Sequence, residues 1–277
     1  MTGMSGTPFA ALHHTGAPLL LPNAWDHASA ALLAAQGFEA IGTTSLGVAA
    51  AVGLPDGAGA TRGVTLSLAR QLGAGPYFLS VDAEDGFSQD PDEVAELARE
   101  LSASGAVGIN LEDGLGSAAL HAAKIAAVKA AVPDLFVNAR TDTYWLGDGD
   151  ERETVRRLDA YQRAGADGVF VPGLTDPAGI SVLLKTLDVP LNILYSPSGP
   201  TIAQLGDLGV RRISLGSLLY RRALGAVLET MADIRAGRTL RGTAPTYAEV
   251  QALSAEGPNA QHRRNHQVGG SHAGRAD

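Results

Sequence analysis

The segment SVDAEDGFS places Asp82, Glu84 and Asp85 at the end of the apolar run 77–81. INLEDG adds Asn110, Glu112 and Asp113, and NARTD adds Asn138, Arg140 and Asp142. The chain has no cysteine, so thiolate metal sites, disulfides and a Cys nucleophile are excluded. Clustered carboxylates without a thiolate or a suitable histidine pair make a hard oxygen site. Such a site suits Mg2+, or Mn2+, held partly through water, and disfavours zinc. Side-chain alternation along a strand turns Asp82 and Glu84 to one face and Asp85 to the other, and brings Glu112 beside the first two from the adjacent strand. Acids at strand ends also cap the following helix, and that bland reading is preferred for Asp113 and is at least equal for Asp85. The Arg140 fork matches a carboxylate or phosphonate bidentately, and it also neutralises an acidic ring. TTSLG, residues 43–47, is a loop able to turn backbone N–H groups toward an anion.

The elements that must position these residues are strand-like runs alternating with amphipathic Ala- and Leu-rich stretches. The runs are 18–24, 40–45, 77–82, 107–112, 135–140, 168–173, 190–195 and 211–216. Repeated βα units of this kind predict a (β/α)8 barrel, with an open doubly wound sheet as the lesser alternative. Asp90, Pro91 and Glu93 form a helix-start signal, repeated by Asp150 and Glu153. Gly37, Gly105 and Gly165 fall where helices should stop. The expected organisation is one barrel domain over 1–240, then a short helix and mobile tail over 241–277. In such a barrel, chemistry collects at the C-terminal ends of the strands. There stand Asn23, Trp25 and Asp26, then Thr44, Ser45 and Gly47, the three acidic segments above, and Asn192 with Tyr195. The strand starts read as Pro, Gly and Val, and all seven histidines read as surface residues.

A formal charge of -8 and a pI near 5.3 argue against a nucleic-acid surface. No apolar stretch approaches the roughly 20 residues that span a bilayer. The N-terminus also lacks a basic region followed by an apolar run, so a soluble cytoplasmic protein is expected.

The ordered set LPNAWD, TTSLG, VDAEDGF, INLEDG and NARTD resembles the isocitrate lyase and phosphoenolpyruvate mutase superfamily over about residues 18–225. The resemblance implies a metal ligand at Asp82, assisted directly or through water by Glu84 and Glu112, with Arg140 gripping substrate. It implies that Ser45, Leu46 and Gly47 bind the α-oxo acid end, with Trp25 and Asp56 near them. It further implies Mg2+-dependent bond cleavage or formation next to an α-oxo acid, or dicarboxylate, through an enolpyruvate-like species. A homotetramer, a dimer of dimers in which the last barrel helix, about 217–235, packs on a neighbour, is implied too.

The chain departs from the family at two places. Glu84 and Ser88 stand where the pattern D-x-D-x-G-[YF]-G has aspartate and glycine. GLGSAALHAAKIAAVKA replaces the K-[KR]-C-G-H loop that carries the lyase proton donor, and the mutase gating loop is missing as well. A substitute donor is therefore required, such as Tyr195, Asp113 or ordered water. Carbon–carbon lyase or decarboxylase chemistry is favoured. Carbon–phosphorus mutase or hydrolase chemistry, a non-catalytic 2-oxo acid binder and a metal-dependent aldolase stay open.

Overall fold

A computed structural model describes residues 6–254. Its strands are β1 (Leu19–Leu21), β2 (Asn23–Ala24), β3 (Ala40–Thr43), β4 (Phe78–Asp82), β5 (Ala106–Glu112), β6 (Phe136–Arg140), β7 (Gly168–Val171), β8 (Leu191–Leu194) and β9 (Arg212–Ser214). The helices are α1 (Pro8–Ala11), α2 (His27–Ala35), α3 (Ser45–Ala51), α4 (Arg62–Leu72), α5 (Pro91–Ala103), α6 (Ala118–Ala131), α7 (Glu151–Arg163), α8 (Pro177–Leu184), α9 (Ile202–Leu208), α10 (Leu218–Arg235) and α11 (Tyr247–Leu253).

All pairings are parallel, and the sheet runs β1-β9-β8-β7-β6-β5-β4-β3-β2. The two end strands are one chain segment interrupted at Pro22, which has no N–H to give a ladder. β1 pairs with β9 and β2 with β3, so that segment closes the sheet into an eight-stranded (β/α)8 barrel. Seven of the eight runs read from the sequence contain their strands, and β5 begins one residue before its run, at Ala106.

Local chemistry sets the helix ends. Asp90 accepts from Asp92 N at 2.9 Å to start α5, and Asp150 accepts from Arg152 N at 2.9 Å to start α7. Gly105 after α5 has φ +99°, and a Cβ there would meet Gly73 O at 2.3 Å, so only glycine fits.

Outward-facing strand residues such as Ile41, Val81, Ile109, Leu111, Val137 and Val171 form one core with Leu97, Leu101, Ile125, Val128 and Leu158 on the surrounding helices. The barrel interior alternates with them in residue parity and is filled in tiers. At its N-terminal end Phe9 of α1 packs edge-on to Phe136, and His13 stacks on the same ring at 4.4 Å between centroids. Gly108 leaves room for this plug, since a Cβ there would meet Phe9 Cε1 at 2.8 Å. Above it lies a buried polar tier of Ser80, Asn110, Asn138, Asn192, Arg212 and Ser214.

Two sequence expectations change here. His13 and His121 are buried at 1% and 3% exposure, because Phe9 and Phe136 enclose the first and Tyr161 covers the second. The start of β9 is not bland either: Arg212 points into the closed barrel and is 1% exposed.

The chain forms two compact units, Met1–Ala226 and Val227–Asp277. In the second, Asp233 takes ion pairs from Arg238 at 2.8 Å and Arg241 at 3.3 Å, and a Thr246–Glu249 capping box starts α11. The expected mobile tail and its three histidines lie outside the described residues.

Candidate active site

A cavity of about 140 Å³ opens at the C-terminal end of the barrel strands. Asp82, Asn110 and Arg140 form its floor side, Ser45, Leu46 and Asp56 border it from the β3–α3 and α3–α4 connections, and Phe170, Pro172, Leu194 and Leu215 give an apolar wall. Trp145, Tyr195, Ser217 and Arg221 stand round it as well.

Strand register explains the floor. Asp82 on β4 lies opposite Asn110 on β5, Glu112 opposite Arg140 on β6, and Arg140 opposite Phe170 on β7. Arg140 Nη1 pairs with Glu112 at 2.7 Å and Nε with Asp142 at 2.6 Å, so two carboxylates fix its plane beside the Phe170 ring. Asp82 accepts from Ser45 N at 3.1 Å, and its own N–H is held by Thr43 Oγ1 at 2.8 Å. Of the TTSLG loop, then, the Ser45 N–H is occupied by Asp82, and Leu46 and Gly47 carry the next first-turn N–H groups of α3. Gly47 is required by packing, since a Cβ would come within 2.9 Å of Thr44 and 3.0 Å of Trp25. Trp25 lies behind this loop, edge-on to Tyr220, rather than on the cavity surface.

β4 ends at Asp82, so strand alternation does not reach Glu84. Glu84 has φ +48° and turns into a buried position where Thr61 Oγ1 donates to it, while Oε2 is sealed without a partner. Asp85 turns the other way, accepting from Phe87 N at 2.9 Å and facing Lys124 at 3.5 Å. Asn192 is buried in the polar tier, exchanging hydrogen bonds with Ser214, and does not border the cavity.

Asp56, Asp82, Glu84, Glu112 and Asp142 crowd one paired guanidinium. Loss of hydration, followed by the charges of neighbouring acids, raises the Asp56 and Glu84 carboxyls, against hydrogen bonds from Ser45 and Thr61 respectively. Burial also raises Glu112, with Arg140 opposing and Asp82, Asp142 and Glu84 reinforcing. Burial raises Asp142 too, although Arg140 is beside it. Such an excess of desolvated negative charge fits a divalent cation. Among the described residues, no three acidic or histidine side chains converge closely enough to form a ligand cage by themselves. An ion here would therefore complete its coordination with water and substrate oxygens, as Mg2+ commonly does.

After β5 the chain makes a short turn, with Leu115 at φ +60°, before α6 begins. Asp113 locks that turn. Its side chain is fully buried and accepts from Leu115 N, Asp142 N, Thr141 Oγ1, Arg157 Nη1 and Tyr161 OH at 2.7–3.1 Å. Burial alone would raise this carboxyl, but the hydrogen bonds outweigh it and hold the group below its usual range. Asp113 thus has the structural role preferred for it, and its enclosed carboxylate, filled by five donors, is not placed to give substrate a proton. Arg212, beneath the floor, was missed. Its one signal is that Arg212 and Ser214 share strand parity while the apolar Ile213 between them faces the helices.

Residues 9–235 match the model of the phosphoenolpyruvate phosphomutase family. The chain belongs to that family. It is 47% identical over 249 residues to an uncharacterised protein of Mycobacterium tuberculosis, covering 88% of this chain and 95% of that one. A Burkholderia cenocepacia structure with a provisional lyase/mutase assignment is 34% identical with TM-score 0.81, covering 90% and 95% of the two chains. A phosphonopyruvate hydrolase in complex with oxalate and Mg2+ is 25% identical with TM-score 0.79, covering 94% and 96%. The superfamily's members include lyases, mutases and hydrolases, with relatives acting on small oxo acids or dicarboxylates. Among the described residues, no helix is long and apolar enough to cross a membrane.

Proposed function

We propose that this protein is a Mg2+-dependent enzyme that cleaves a carbon–carbon bond in a small 2-oxo acid, or its precursor, by way of an enolpyruvate-like species. The observation that carries this reading is the gathering of Asp82, Glu112 and Asp142 about the single guanidinium of Arg140 at the cavity floor, with Glu84 Oε2 buried and unpartnered. Asp82 would hold the ion, with Glu112 assisting through water and Glu84 adding its charge from its buried place beside Thr61, and Mn2+ would satisfy the same oxygens. When bound, the cation supplies positive charge to the oxo and carboxylate oxygens as the enolate develops.

The chain's own residues do the rest. Arg140, held in plane by Glu112 and Asp142, orients a substrate carboxylate, and its pre-set geometry costs no reorganisation during reaction. The Leu46 and Gly47 N–H groups, in the first turn of α3, would bind the same end. Phe170, Pro172, Leu194 and Leu215 exclude water from the far side. Tyr195, on the cavity wall, is the side chain placed to pass a proton, and ordered water is its alternative. A phosphonate dianion would call for further cations at the floor, where, among the described residues, only the shared Arg140 borders the cavity. Arg221, at the mouth, is the cation a carbon–phosphorus reading would use.

Isocitrate, methylisocitrate, dimethylmalate, oxaloacetate and phosphonopyruvate, assayed with and without Mg2+, test the proposal. Metal-dependent turnover of one of the carbon–carbon substrates supports it, and turnover of phosphonopyruvate alone moves it to carbon–phosphorus chemistry. The locked, donor-free turn after β5 favours a second reading, a metal-dependent 2-oxo acid binder. Binding of 2-oxo acids without any turnover selects that one.

A further inference from the structure

We infer that Asn110 is a substrate-binding donor at the cavity floor, its amide held in one orientation by Arg212 and Asn138. The inference rests on the proposed reading of the cavity as a 2-oxo acid site.

Arg212 is the starting point. A guanidinium with 1% exposure needs a reason, because an unpaired buried charge is costly; Arg212 makes no ion pair among the described residues, and the one carboxylate whose charge favours its ionised form is Asp82. It spends its hydrogen bonds on neutral oxygens instead. Nη2 reaches Asn110 Oδ1 at 3.1 Å and Ser80 Oγ at 3.4 Å, and Nε reaches Ser214 Oγ at 3.4 Å.

Arginine can only donate, so the amide atom that Asn110 turns toward it must be the oxygen. Asn138 Nδ2 donates to the same Oδ1 at 2.8 Å. Both acceptor positions of Oδ1 are then filled from within the barrel, and Nδ2 is the end left over. Nδ2 has no protein partner among the described residues, yet it is not sealed from solvent, and Asn110 borders the cavity beside Asp82 and Arg140. A fixed N–H donor therefore faces the space where an oxygen of the carboxylate–oxo head would lie. Neither Asn110 nor Arg212 needs to touch the cation for this. Asn110 binds, and Arg212 is a positioning residue that acts through it.

Calorimetry with oxalate on the Mg2+-loaded protein tests the assignment. Asn110→Ala should lower oxalate affinity about tenfold or more, the loss expected for a hydrogen bond to a charged ligand. Mg2+ affinity measured without oxalate should stay within about twofold. Arg212→Met should lose oxalate affinity by a similar factor, and the double variant should lose little beyond either single one. A purely packing role for Arg212 would lower the melting temperature and leave oxalate affinity unchanged. Should the Arg212 variant fail to fold, asparagine-selective 15N labelling of the wild type supplies the second readout. The Asn110 side-chain resonance, identified by its absence in Asn110→Ala, should move when oxalate is added. Wild-type oxalate binding that Asn110→Ala leaves intact, or an unmoved resonance, overturns the inference alone. Absence of oxalate binding by the wild type overturns the reading of the cavity with it.

Discussion

Replacing Asp113 with asparagine tests whether the turn after β5 is held by charge and hydrogen bonding. Asp113 Oδ1 accepts from Leu115 N at 3.0 Å and Asp142 N at 3.1 Å, while Oδ2 accepts from Thr141, Arg157 and Tyr161 at 2.7–2.9 Å. An asparagine must turn its NH2 toward one of these groups, and each contains a donor that cannot reverse: the two backbone N–H groups on one side, Arg157 on the other. The substitution also strips the carboxylate from a pair whose side chains are 10% and 0% exposed. Removing one partner of a buried pair costs about 3–5 kcal/mol. Glu153 still faces Arg157 Nε at 2.7 Å, which places the expected loss near the lower end, about 3 kcal/mol. For a chain of this size that corresponds to a fall in melting temperature of roughly 6–12 °C. Asp85→Asn is the control. The Asp85 side chain is 37% exposed, and Lys124 keeps its 2.8 Å bond to the Asp85 carbonyl, so the loss should stay below about 1 kcal/mol. The folded Asp113 carboxyl lies below its unfolded value, so its contribution is complete above the unfolded value and disappears as pH falls through the folded one. Asp113→Asn should consequently flatten the acid side of the stability profile. A loss under about 1 kcal/mol by denaturant melting, or an unchanged acid limb, would refute the reasoning.

Other outcomes follow from the same contacts. Burial lowers His121 from 6.5 to about 4, so the unfolded chain takes the proton first; stability is level above about pH 6.5 and falls toward pH 4, by up to roughly 3 kcal/mol from this residue. His121→Leu should shrink that fall in urea melts, and an unchanged pH dependence would sink the assignment. Arg140→Lys cannot reach both Glu112 and Asp142 as the planar fork does; oxo-acid affinity should drop about tenfold or more by calorimetry. Tyr195→Phe should lower kcat with little change in KM, whereas equal rates would pass the proton role to water. Leu224, Val227, Leu228, Met231 and Ile234 of α10 are all exposed; the resemblance implies that this helix packs on a neighbour in a homotetramer, so sedimentation should show an oligomer, and monomer alone would contradict that expectation.

The barrel was legible because each strand is a short apolar run closed by polar residues, and because Asp90 and Asp150 announce helix starts through chemistry local to one turn. The acidic floor was legible for a similar reason: Asp82, Glu112 and Arg140 end their strands, and parallel register brings strand ends together. What closure creates was harder to read. Arg212 looks like an exposed strand start until β1 pairs with β9 and encloses it. His13 looks like leader sequence until Phe136, more than a hundred residues later, stacks on it. Glu84 was placed by alternation, a rule that lapses one residue past the end of β4. Asn192 was read as standing at a strand end, whereas its level in the barrel puts it one tier below the cavity, against Ser214.

The central claim is that the acid-crowded floor binds a divalent cation on Asp82 and, through it, a 2-oxo acid. Oxalate titrated into the protein with Mg2+ or with excess chelator, for wild type and Asp82→Ala, measures this directly. The account predicts heat of binding only for Mg2+-loaded wild type. Oxalate affinity indifferent to the metal, or Mg2+ affinity undiminished in Asp82→Ala, would contradict it.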